Sequence, residues 1–120
     1  MMARRGQPGS AGMVIETVTS DGVKAVVAVE GEIDMSNSDD LRSYLQRYVA
    51  AGYERIAVDM SGVSFVDSTG LRAVVMTSLD LRAVGEVTVR NPSPIVRALI
   101  DLSGLQETLP IEASDPEDRV

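Results

Sequence analysis

The 120-residue sequence has no cysteine, no histidine and no tryptophan, and aromatic residues make up only 3% of it. Each absence removes a class of chemistry. Without cysteine there are no disulfides, thiolate metal ligands or thiol nucleophiles. Without histidine the commonest general base and the commonest metal ligand are both missing, which excludes a Ser-His-Asp hydrolase. The shortage of rings argues against stacking on bases or sugars. Positive charge is also scarce: 11 Lys and Arg against 18 Asp and Glu leave a net charge of -7. Nucleic acid and anionic membrane surfaces both want basic patches, so neither suits this balance as a partner. No apolar run approaches the ~20 residues that span a bilayer. Arg4 and Arg5 have no apolar run behind them, so the N-terminus does not read as a secretory signal. A soluble cytoplasmic protein is expected.

What is present builds one domain. Hydrophobic residues reach 44%, so the core is to be made of Val, Leu, Ile, Ala and Met, in a chain long enough to bury one without staples. Residues 1–12 are mostly Gly, Pro, Ser and Ala and predict a loose tail. Met13 to Thr19 is rich in β-branched residues, Ser20-Asp21-Gly22 is a turn signal, and Lys24 to Val29 reads as a second strand, giving a hairpin. Val26 to Val29 is apolar without alternation, as in a strand covered on both faces. The strand runs out at Gly31-Glu32-Ile33-Asp34. Ser36 or Ser38 can cap a helix in which Leu41, Tyr44, Leu45, Tyr48 and Val49 share one face, with Gly52 as a left-handed cap.

Arg55 to Asp59 predicts a short central strand. A helix follows from Ser68, with Leu71, Val74, Val75 and Leu79 on one face and Gly85 at its end. Glu86 to Arg90 alternates as a further strand. Ser93 and Pro94 open a last helix lined by Ile95, Leu99 and Leu102 and closed by Gly104. Leu109-Pro110-Ile111 adds an edge segment, and residues 112–120, including Glu112, read as a solvated acidic tail. The order β-β-α-β-α-β-α over 13–111 predicts an α/β fold, a mixed sheet of about four to five strands packed with helices.

The stretch from Val58 to Leu71 stands out. Two apolar runs stop at Asp59 and Asp67, and a helix begins at Ser68. Ser68, Thr69 and the Asp67 carboxylate therefore share a strand-to-helix turn, beside the amides that open a helix and favour anions. Read from the residues alone, Asp-Ser-Thr is ordinary capping chemistry. Gly70 in the first helical turn is less ordinary, since glycine costs ~1 kcal/mol inside a helix. Either a partner or phosphate approaching the backbone, or tight packing on the sheet, would account for it. Asp34 and Glu32 follow the second strand and can position a metal or steer a partner, although turn carboxylates are usually only solvated. There is no phosphate-binding or dinucleotide glycine pattern and no cluster of metal ligands, and Leu71 stands where a Ser-x-x-Lys nucleophile pattern needs lysine. No catalysis and no cofactor are expected.

Gly31-Glu32-Ile33-Asp34, then Phe65-Val66-Asp67-Ser68-Thr69-Gly70-Leu71, then Asn91-Pro92 with Val96, Leu99 and Ser103-Gly104-Leu105, resemble the STAS domain of bacterial anti-sigma factor antagonists. The resemblance covers roughly residues 13–111. It implies a partner-switching protein. The unphosphorylated form binds an anti-sigma factor that is also a serine kinase, and the sigma factor is freed. Phosphorylation of the serine after the aspartate, here Ser68, switches binding off, and a PP2C-type phosphatase restores it. ATP and magnesium belong to the kinase. The resemblance places partner contact at Asp34, Asp67, Ser68, Thr69, Gly70 and Leu71, with Thr69 as a possible second acceptor. The alternative is a STAS scaffold or ligand-sensing module in a signalling complex without phospho-switching.

Overall fold

The computed structural model of the protein describes residues 12–112. The tails expected over 1–12 and 112–120 lie outside the described residues except for Gly12 and Glu112. Strands β1 (Met13–Ser20) and β2 (Lys24–Ile33) pair antiparallel across the Asp21-Gly22 turn. The Asp21 carboxylate tightens that turn by accepting the Val23 and Lys24 amides at 2.9 and 2.8 Å. Then come α1 (Ser38–Ala50), β3 (Arg55–Val66), α2 (Ser68–Leu81), β4 (Glu86–Arg90), α3 (Pro94–Leu102) and β5 (Ile111–Glu112). The sheet order is β1-β2-β3-β4-β5, so β3 is central as expected, and β2 to β5 run parallel.

Parallel neighbours in sequence order have one consequence. Crossovers of the usual right hand carry α1, α2 and α3 to the same face of the sheet. Side chains alternate across a strand, and on the helical face Val27, Val29, Ile56, Val58, Val87 and Val89 join Leu41, Leu45, Leu71, Val74, Val96 and Ile100 in one core. The Thr17 hydroxyl bonds the Tyr44 hydroxyl at 2.7 Å, tying β1 to α1 on that face. The opposite face carries Lys24, Arg55, Glu86, Thr88, Arg90 and Glu112 in rows set by strand register. The unbroken apolar run of β2 therefore does not report helices on both sides. Val26 is buried on the second face, but Ala28 is only half-buried.

Several boundaries differ from the sequence expectation. Strand β3 continues through Ser61-Gly62 to Val66, and β2 extends to Ile33, with register shifts between Ala28 and Glu30 and between Gly31 and Glu32. Polar and glycine residues there mark irregular pairing rather than a break. Asn37, not Ser36 or Ser38, stands at the N-cap position of α1, and its side chain makes no cap hydrogen bond. Helix α2 ends at Leu81, short of Gly85, and Leu79 is exposed. The buried face of α3 is Val96 and Ile100, with Leu99 half-buried; Ile95 and Leu102 face out. Leu102 is 85% exposed, so its apolarity misled the choice of face. Gly52 does take the left-handed conformation after α1, at φ +90. Glu112 is no tail residue: it pairs with Arg90 in β5 and bonds three side chains.

Candidate functional site

The turn is built where β3 ends and α2 begins. Asp67 has extended backbone (φ -107, ψ -175) and caps α2. One carboxylate oxygen, Oδ1, accepts the Thr69 amide at 3.0 Å, the Gly70 amide at 3.1 Å and the Thr69 hydroxyl. The Thr69 hydroxyl is the main cause that holds the Asp67 carboxyl below its ordinary value; burial opposes it, and the Gly70 and Thr69 amides add to it. Two of the helix amides expected to greet an anion, those of Thr69 and Gly70, are thus already taken by Asp67. Ser68 is exposed, and its hydroxyl has no hydrogen-bond partner among the described residues. Two adjacent hydroxyls therefore differ: that of Thr69 is committed, that of Ser68 is open.

Gly70 has a packing explanation. A Cβ there would lie 2.7 Å from the Ile33 Cγ2 and 3.0 Å from the Val66 Cγ2, so the glycine lets α2 seat on the ends of β2 and β3. Leu71 belongs to the core. Both were expected at the contact surface. In the folded chain both are buried, Gly70 against Ile33 and Val66 and Leu71 in the core.

Strand pairing supplies the second arm. Ile33 and Val66 are register partners at the ends of β2 and β3, and the Asp67 amide donates to the Ile33 carbonyl at 3.2 Å. Asp34 and Asp67 consequently leave the sheet side by side. The Asp34 carboxylate accepts the Ser36 amide at 2.9 Å as well as the Ser36 hydroxyl. Sequence reasoning passed over Asn37, which is buried and holds this loop. Its side chain accepts the Asp34 amide at 3.0 Å and donates to the Glu32 carbonyl at 2.9 Å. The signal for it was an asparagine in a Ser-Asn-Ser run ahead of a helix, a setting in which side chains bond local backbone. Glu32 is exposed.

Between α1 and α2, next to the turn, lies a groove of about 310 Å³ lined by Met35, Asp39, Arg42, Thr69, Arg72 and Met76 among others. Met35 is 75% exposed. Arg42 is paired with Asp80 at 2.7 Å, whereas Arg72 is exposed and has no ion-pair partner among the described residues. Among the described residues no group of three or more Asp or Glu side chains is arranged to hold a metal ion, and no helix is long and apolar enough to cross a membrane.

Comparison with known proteins gives a consistent picture. A family model of the STAS domain matches residues 14–117. The anti-sigma F factor antagonist of Lysinibacillus sphaericus is 32% identical over 93 residues, covering 76% of this chain and 78% of its own. A crystal structure of an anti-sigma factor antagonist from Mycobacterium paratuberculosis is 30% identical, covers 95% of this chain and 94% of its own, and superposes with a TM-score of 0.77. The fold is also that of the antagonist SpoIIAA at 24% identity, in its unphosphorylated form (88% and 91% covered, TM-score 0.74) and in the phosphorylated form from Bacillus (88% and 95%, TM-score 0.69). With the fold, the turn and these relatives in agreement, the chain belongs to the STAS-domain family of anti-sigma factor antagonists.

Proposed function

We propose that this chain binds an anti-sigma factor in its unphosphorylated state, so that the sigma factor is released, and that phosphorylation of Ser68 switches the binding off. The observation that carries the reading is the contrast within the turn: Ser68 offers an exposed, uncommitted hydroxyl, while the Thr69 hydroxyl is spent on Asp67. Phosphorylating Thr69 would break the cap and set a dianion against the carboxylate, so Ser68 is the acceptor. The surface read by the partner comprises Ser68, Thr69, Asp67 and Asp34, which strand pairing gathers at one end of the sheet. The anti-sigma factor is itself the serine kinase and brings the ATP; a PP2C-type phosphatase returns the chain to its binding form. The chain contributes a substrate hydroxyl and a binding face, with no catalysis and no cofactor of its own, and it works in the cytoplasm, where sigma factors act. The SpoIIAA fold exists in both phosphorylation states, which supports a switch made without refolding.

The physics of the switch is charge. A phosphoryl group brings about -1.5 to -2 charges to a patch that already holds Asp67 and Asp34. Like charges buried together at an interface cost several kcal/mol, which lowers affinity by ~100-fold or more. The test is to incubate the full chain with its anti-sigma factor and ATP. One phosphate on Ser68 by mass spectrometry, none on Ser68→Ala, and a ~100-fold drop in affinity by calorimetry are expected. Unchanged phosphate uptake by Ser68→Ala would sink the reading. Full affinity after phosphorylation would favour a scaffold or ligand-sensing module instead.

A further inference from the structure

A phosphate on Ser68 would meet a helix start two of whose amide donors are already engaged. The Thr69 and Gly70 amides at the start of α2 already donate to Asp67 Oδ1. Asp67 in the turn, Asp34 leaving the sheet beside it and Asp39 in the groove add negative charge that disfavours a dianion. Of the two arginines in that groove, Arg42 is held by Asp80 at 2.7 Å. Arg72 is the other. It stands four residues after Ser68 on α2, both are exposed, and Arg72 has no ion-pair partner among the described residues.

Residues four apart on a helix face each other across about 5–6 Å between Cβ atoms, and an anion N-terminal to a cation is the favourable order. Guanidinium offers phosphate a planar fork of donors. We propose that Arg72 is the intramolecular counter-ion of phosphorylated Ser68, and that phosphorylation thereby withdraws a cation from the groove between α1 and α2. The inference rests on Ser68 being the phosphoacceptor and deepens that reading. In the unphosphorylated chain Arg72 lines the groove together with Met35, Met76 and Asp39, and its guanidinium, unpaired among the described residues, is the group there that an acidic side chain of the anti-sigma factor would meet. After phosphorylation the guanidinium turns back one helical turn to the phosphate. The switch then has two strokes, an added anion and a removed cation, both on one helix face.

The first stroke of the test needs neither kinase nor partner. Phosphoserine is installed at position 68 of the full chain by genetic encoding, and the phosphate is titrated by phosphorus NMR. The second phosphate pKa, ordinarily about 6, is expected to lie roughly 0.3 to 0.7 of a pH unit lower in the wild-type background than with Arg72→Gln. Arg72→Lys should restore part of the shift, which a mere loss of fold would not. Superimposable titrations for the wild type and Arg72→Gln overturn the pairing, even where the kinase does modify Ser68.

The second stroke is read in affinity for the anti-sigma factor. Phosphorylation should weaken binding by a factor several-fold smaller in Arg72→Gln than in the wild type, because that variant has no cation to withdraw. Equal factors overturn the withdrawal. Failure of the kinase to modify Ser68 would instead refute the proposed function and leave the titration result standing.

Discussion

Asp67 and Glu112 are both carboxylates held below their ordinary pKa, and they are held by unlike means. Asp67 is fixed by groups two and three residues away: the Thr69 hydroxyl and amide and the Gly70 amide. Glu112 is fixed by residues far off in the chain. It accepts Lys24 Nζ at 2.7 Å, the Thr88 hydroxyl at 2.6 Å and Arg90 at 3.2 Å, on the face of the sheet that carries no helix. Burial works against its ionisation, yet Lys24, Thr88 and Arg90 together outweigh it and pull the pKa from 4.5 to about 2. One carboxylate closes a local turn. The other pins the edge strand β5 to β4 and β2. The first holds independently of the rest of the sheet, because its carboxylate bonds are made within three residues.

The comparison can be broken most strongly at Glu112. Glu112→Gln removes the charge shared by Lys24 and Arg90, and a partly buried pair of this kind should cost about 2 kcal/mol in urea denaturation at neutral pH. The folded pKa lies below the unfolded one, so this stabilisation is complete above about pH 4.5 and is lost as pH falls through about 2. The wild type and Glu112→Gln should therefore converge in stability on acidification. A constant gap down to pH 2 would contradict the ion-pair account.

Gly70 tests the packing beneath the Asp67 cap. Alanine there gains helix propensity but drives its Cβ against the Ile33 and Val66 methyl groups at 2.7 and 3.0 Å. A net loss of about 1–2 kcal/mol is expected by the same denaturation. A stabilised Gly70→Ala would mean that propensity alone governs the position.

Asp67 itself should give the smallest effect. Asp67→Ala removes the cap and costs about 1 kcal/mol, whereas Asp67→Asn keeps a capping oxygen and costs a few tenths. Hydrogen exchange at the Thr69 and Gly70 amides should speed up in the alanine variant and stay slow in the asparagine one. Because the Asp67 pKa is lowered in the folded chain, its share of stability is present above the unfolded carboxylate range and fades as pH drops below it.

The sequence by itself determined whatever a few neighbouring residues can settle. Asp21-Gly22 sets the hairpin and Pro94 starts α3, because turns and helix ends satisfy backbone groups with side chains one to four positions away. The start of α2 at Ser68 was legible for the same reason. Missing histidine and cysteine excluded whole classes of chemistry, which needs no fold at all. The motif around Asp67 carried the family. Four matters waited for the tertiary structure. Only strand register sets Asp34 beside Asp67, and only the ends of β2 and β3 explain Gly70. Leu71 was read both as part of the apolar face of α2 and as a contact residue, and packing puts it in the core. Glu112 looked like a solvated tail residue because its partners lie 22 to 88 positions away. Contacts at that separation depend on the order of the strands, and strand order is a property of the whole sheet rather than of any stretch within it.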